Sequence, residues 1–292
     1  MDRRLFLKTG TVGLSAGLMG RPFAFPNSPH EKRIYKAVKV TMIKGELSVY
    51  DKFRISKDVG FDGISLMGPD WFSVKDVIKA QDMTGLLVHN INDAHHWKVR
   101  LSDPDPSVRK QAIQDMRDTI QFASDTGADS ILLVVGKVMD EVNENHDQVW
   151  ERSTRAIFET LPLASRLGVR ILLENVGNNF CITPDLWNKY IDQFASPWVG
   201  AFYDIGNHHS RGGADVWLRA LGHRIVKLDV KGHHTDLKKN CDIFDGNIPW
   251  AKVRKEIERI QFTGWATAEV SGGDAERLRQ VVERMDEALG IT

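Results

Sequence analysis

From position 37 onward, short and nearly continuous apolar runs alternate with longer stretches whose apolar residues recur every three or four positions. The first pattern predicts parallel strands buried on both faces, and the second predicts amphipathic helices. Strands are expected over 37–42, 63–67, 86–91, 131–135, 170–176, 199–205, 225–231 and 265–270. Helices are expected over 48–59, 73–83, 106–126, 146–167, 214–221, 249–260 and 274–289, with a further one opening at Thr183-Pro184. Gly60, Gly85, Gly127 and Gly168 stand where helices should stop, and Thr183-Pro184 reads as an N-cap followed by a first-turn proline. Strand and helix in strict alternation, eight times over, predict an α/β fold: a single (β/α)8 TIM barrel. The rival is a doubly wound sheet. No GxGxxG follows the first strand, and no GxxxxGK[ST] occurs, so the phosphate-binding signatures of that class are missing from the sequence.

Several of these runs end on an acid. Arg170-Ile171-Leu172-Leu173-Glu174 does, as do Phe202-Tyr203-Asp204, Val226-Lys227-Leu228-Asp229 and Thr267-Ala268-Glu269. In a TIM barrel, the C-terminal strand ends and the loops after them carry the chemistry. Four carboxylates at four such ends suggest a ring of oxygen ligands for a divalent cation. An isolated acid there would more simply form an ion pair at the rim, but four at matched positions favour a ligand set.

Composition narrows the classes. The 292 residues are 42% hydrophobic and 27% charged, with Lys plus Arg equal to Asp plus Glu at 39 each. That balance gives no basic surface for nucleic acid and no charge asymmetry for a membrane. Cys181 and Cys241 are the two cysteines, so there is neither a disulfide framework nor a CxxC metal pattern. Arg3-Arg4-Leu5-Phe6-Leu7-Lys8 before a mildly apolar, Gly-rich stretch resembles a twin-arginine export signal. The expected organisation is therefore an export signal and linker over 1–30 and the barrel over 31–292, in an exported or periplasmic protein. The apolar stretch is too short for stable membrane insertion as a helix.

Phe61-Asp62-Gly63-Ile64, Glu174-Asn175, Tyr203-Asp204-Ile205-Gly206-Asn207, Lys227-Leu228-Asp229-Val230-Lys231 and Gly264-Trp265 through Glu269 follow one another in order. Together they resemble the sugar isomerase/epimerase family with a xylose-isomerase-like barrel, which includes tagatose and psicose 3-epimerases. The resemblance spans roughly residues 36 to 290. It implies one divalent metal held by Glu, Asp, His and Glu at the ends of strands five to eight, with the two glutamates as acid and base. Carried over, Glu174, Asp204 and Glu269 are metal ligands, and Glu174 and Glu269 are catalytic. The histidine position holds Asp229 instead, and an all-carboxylate set favours Mn²⁺ or Mg²⁺ over Co²⁺ or Zn²⁺. Lys227 and Lys231 share the face of Asp229 and could offset its charge. Either Asp229 ligates with that compensation, or it pairs with lysine and His233, His234 or water completes the shell.

Candidate substrate-binding residues are His89 at the end of strand three, His95 in the His95-His96-Trp97 loop, Asn207, His208, Lys231 and His233, with Lys44 after strand one a weaker candidate. The resemblance implies a small carbohydrate partner, with a homo-oligomer left open. The expected reaction is metal-dependent isomerisation or epimerisation by proton abstraction next to a carbonyl, through an enediolate. One alternative shares that first step: lyases of 3-keto-glycosides, which this chain also resembles, end in β-elimination at C1 and C2. The other is a non-catalytic sugar-binding barrel, should Asp229 disable metal binding. A repair endonuclease on this fold would need more histidine ligands and a basic face.

Overall fold

The computed structural model describes residues 34–291, so the expected export signal lies outside the described residues. Eight parallel strands close into a barrel: β1 (Ile34–Lys39), β2 (Gly63–Gly68), β3 (Leu87–Asp93), β4 (Ser130–Leu133), β5 (Arg170–Glu174), β6 (Val199–Asp204), β7 (Ile225–Val230) and β10 (Gly264–Ala268). Between β7 and β10 lies a short antiparallel hairpin, β8 (Gly232–His234) and β9 (Lys239–Cys241). The helices are α1 (Val49–Asp58), α2 (Val74–Thr84), α3 (Pro106–Thr126), α4 (His146–Leu167), α5 (Pro184–Asp192), α6 (Ala214–Leu221), α7 (Trp250–Arg259) and α8 (Ala275–Leu289). This is the (β/α)8 barrel that the alternation predicts. No described helix is long and apolar enough to cross a membrane.

Local chemistry sets the helix limits. Ser48, Ser73, Thr183 and Asp274 each accept a hydrogen bond from a first-turn backbone N–H, and Asn145 forms a reciprocal capping box with Gln148. Gly127 and Gly168 end α3 and α4 at φ 79° and 71°, a left-handed turn that side-chain-bearing residues resist.

The two-residue period of the strands sorts side chains between two cores. Ile131, Ile171 and Leu173 face the helices and join the large outer core, whereas Leu132, Leu172 and Phe202 form a small cluster of their own. The same alternation puts Glu174 two residues beyond Leu172 and Asp204 two beyond Phe202. Apolar filling below and carboxylates above thus follow from one periodicity.

Some limits differ from expectation. β1 begins at Ile34 because its ladder with β10 starts at Ile34↔Gly264, and Val40–Met42 forms a 3₁₀ turn instead of continuing the strand. β4 pairs only through Leu133, and β5 leaves its ladder after Glu174. Trp187 and Trp250 are buried against the core, whereas Trp71 is half exposed. Cys181 and Cys241 are both free thiols.

Candidate active site

Glu174, Asp204, Asp229 and Glu269 converge at the C-terminal mouth, and their ligand atoms all lie within 4.8 Å of one another. The ladder register sets Asp204 opposite Asp229, and Thr267, two residues before Glu269, opposite Asp229 on the other side. Asn175 explains why the pairing stays firm where β5 ends. Its side-chain amide accepts from the Asp204 N–H at 2.7 Å and donates to the Asp204 carbonyl at 2.9 Å, standing in for a backbone peptide. Asp204 Oδ1 accepts from the Gly206 and Asn207 N–H groups, both at 2.8 Å, which fixes the carboxylate in one orientation. A Cβ on Gly206 would meet Lys231 Cγ at 2.7 Å, so the glycine admits that lysine to the mouth.

Two ammonium groups thread the cluster. Lys231 Nζ lies 2.8 Å from Asp204 Oδ2 and 2.9 Å from Glu269 Oε2; Lys39 Nζ lies 2.8 Å from Asp229 Oδ2 and 3.0 Å from the same Glu269 oxygen. Lys227 is not among them. Its side chain turns to Asp129, Ser130 and the His89 carbonyl, so the expectation that it offsets Asp229 is corrected in favour of Lys39. Lys39 ends β1 in the structure, whereas the apolar pattern carries that strand on to position 42 and so conceals it. Lys44 folds back onto the Thr41 carbonyl in an exposed position.

The environments of the acids diverge. Burial, against the pull of Lys39 and with the push of Glu269, raises Glu174 well above the ordinary carboxylate range. Burial likewise raises Asp204 to about 6 and Asp229 to about 7. Burial works in the same direction on Glu269, but Lys39 and then Lys231 outweigh it and hold that carboxyl well below its usual range.

The residues present fit a divalent cation. Asp229 is fully buried, and its Oδ1 makes no hydrogen bond, an arrangement that is costly unless something positive satisfies it. All four donors are carboxylate oxygens, the set preferred by hard cations. The two lysines offset half of the four carboxylate charges, and a divalent ion would offset the other half.

The substrate-binding candidates separate. Asn207 stays at the mouth, donating through Nδ2 to Glu174 Oε1 at 3.2 Å. His233 is buried beside it, its Nδ1 on Asn240 Oδ1 at 2.9 Å. His208 is buried with Nε2 on the Val176 carbonyl and its ring 4.4 Å from Trp217, a packed position. His95 is drawn to Asp115 at 3.2 Å and Asp70 at 3.5 Å, away from the acids. His89 corrects the expectation of a strand end: it lies within β3, stacked 4.7 Å from Trp265. The hairpin β8–β9, and with it Asn240, was not anticipated.

The sequence matches the family of xylose isomerase-like TIM barrels over residues 53–288. The chain belongs to that family. Among curated relatives it is 24% identical over 262 residues to the L-ribulose-5-phosphate 3-epimerase UlaE of Salmonella paratyphi B, covering 82% of this chain and 91% of that protein. The Escherichia coli O1:K1 protein of the same name is 25% identical over 228 residues, covering 73% and 79%. Among solved structures, a D-tagatose 3-epimerase-like protein superposes with a TM-score of 0.75 at 17% identity, covering 88% of this chain and 98% of that one. The 3-keto-D-glucoside 4-epimerase of E. coli does so at 0.74 and 13%, covering 87% and 98%. With curated relatives named as epimerases, the chain is an enzyme of the isomerase and epimerase class.

Proposed function

We propose that this enzyme inverts or moves a stereocentre at the carbon next to a sugar carbonyl, with a divalent cation held by Glu174, Asp204, Asp229 and Glu269. One observation carries the reading: two glutamates reach one buried cluster of four carboxylates from separate strand ends, and two ammonium groups meet on Glu269 Oε2. That placement suits the pair to act as acid and base. Glu269, kept ionised by Lys39 and Lys231, accepts the proton from carbon. Glu174 returns one, and Asn207 holds its Oε1 in place. They project from β5 and β10, which are separated around the ring by β6 and β7, so they can serve different faces of a bound sugar. When bound, the cation would polarise the carbonyl and acidify the neighbouring C–H. The relatives' printed names support a ketose, since C3 of a 2-ketose is the carbon next to its carbonyl. The twin-arginine pattern supports an exported enzyme.

Proton NMR in D₂O, with Mg²⁺ and a panel of ketoses, aldoses and 3-keto-glucosides, tests the proposal. Deuterium entering next to the carbonyl with the carbon skeleton intact is the expected result. Release of the C1 substituent from a 3-keto-glucoside would replace it with the lyase reaction. No exchange, together with no bound metal by elemental analysis, would leave a sugar-binding barrel without catalysis.

A further inference from the structure

A cavity of about 560 Å³ opens beside the four acids, lined by Gly177, Asn207, Ser210, Arg211, His233, Thr235, Lys238 and Asn240. Asn207 belongs to both places, because the amide that lines the cavity also holds Glu174. A molecule whose reacting carbon lies at the acids therefore has room to extend past Asn207. Its lining carries two cations, Arg211 and Lys238, and no carboxylate.

Among the described residues, neither Arg211 nor Lys238 forms an ion pair. Arg211 gives one side-chain hydrogen bond, through Nη2 to Asn179 Oδ1 at 3.3 Å, which leaves most of its fork unused. The Lys238 ammonium makes no side-chain hydrogen bond among the described residues. Its backbone sits at φ 48°, a left-handed conformation uncommon for lysine. A third group is buried and unsatisfied. His233 is 7% exposed and donates through Nδ1 to Asn240, while its Nε2 has no partner. With Nδ1 engaged, the open Nε2 is the ring atom left to meet a sugar hydroxyl.

The wall that carries these residues is anchored. Arg277 of α8 grips both oxygens of Asp242 at the foot of the β8–β9 hairpin, and Arg284 holds Asp245 at 2.8 Å. The cavity therefore joins Asn207, which touches Glu174, to two cations without ion-pair partners among the described residues.

We propose that this cavity is a subsite for an oxyanion, a phosphate ester or a carboxylate, at the end of the sugar remote from its reacting carbon. The proposal rests on the sugar reading above. Arg211 would engage the oxyanion through paired N–H groups and Lys238 as a point charge, with His233 Nε2 accepting from a hydroxyl along the chain.

Titration calorimetry of the full chain with inorganic phosphate and, separately, acetate tests the subsite without requiring turnover. At least one of the two should bind. The Arg211→Gln, Lys238→Gln double variant should weaken that binding at least tenfold, and Lys238→Arg should keep most of it. A larger loss with phosphate identifies an ester, and a larger loss with acetate identifies a carboxylate. A second arm compares kcat/KM for a ketose 5-phosphate and the free ketose, whose ratio should fall at least tenfold in the double variant. Anion binding that is absent in the parent chain, or unchanged in the double variant, overturns the subsite. Anion binding lost in the double variant while no sugar is turned over sustains the subsite and overturns the epimerase reading instead.

Discussion

Two ammonium groups meet on one oxygen, Glu269 Oε2, and that shared contact concentrates positive charge at the mouth. Replacing Lys39 by Met removes one of them from a buried network and leaves Asp229 less compensated. The metal-free barrel should lose about 3–5 kcal/mol of stability. Its affinity for Mg²⁺ should rise at least tenfold in calorimetry, because the cluster becomes more negative. A fall in affinity would mean that Lys39 chiefly orients Asp229. Protonation gives a second prediction. The folded-state values of Asp204 and Asp229 are raised, to about 6 and about 7, so the folded metal-free state holds protons that the unfolded chain releases. Metal-free stability should therefore fall as pH rises from about 4 to about 7. Cation affinity should climb over the upper part of that range and level off by about pH 8, as protons cease to compete. Glu174→Gln should leave the melting curve intact while lowering kcat by about 10²- to 10⁴-fold. Turnover that survives this change would remove Glu174 from the acid role.

Among the elements, the β8–β9 hairpin is the one the chain pattern did not announce. Its residues show no apolar alternation, and its support comes from Arg277 and Arg284, far along the sequence. Gly232 shows how tightly it closes, since a Cβ there would lie 2.0 Å from the Asp242 carbonyl oxygen. Gly232→Ala should cost about 1–3 kcal/mol locally and open 235–240 to rapid proteolytic cleavage while the barrel persists. Uncut hairpin under those conditions would mean that the wall adapts. The barrel and its four acids were legible because both depend on short-range periods: strands buried on both faces read as apolar runs, and an acid ending each run shares the inward face. The compensating lysine was misassigned for the opposite reason. Lys227 and Lys39 both belong to buried strands, and only barrel closure decides that one reaches Asp129 and the other Asp229. His95 and His208 sit in loops, where no period says which way a ring turns.

For the whole molecule, a cation held as proposed would couple binding to folding, since the four carboxylates come from the ends of four strands that the barrel brings together. A free Mg²⁺ or Mn²⁺ concentration a hundredfold above Kd should add about 2.7 kcal/mol, or roughly 5–10 °C in Tm by calorimetry, reversible with chelator. An unchanged Tm would remove the cation from the site. Export is tested separately. Arg3→Lys with Arg4→Lys should retain the protein in the cytoplasmic fraction of a bacterial host, and unchanged fractionation would show that the pair does not direct it. The ring closes where β1 meets β10, with Val38 beside Ala268, and Lys39 reaches Glu269 across that join. A chain still open there would keep all four carboxylates together, since β10 stays paired with β7, and would lack only Lys39. Barrel closure would then add countercharge to an acid set already assembled, so the first strand tempers a site that the later strands build.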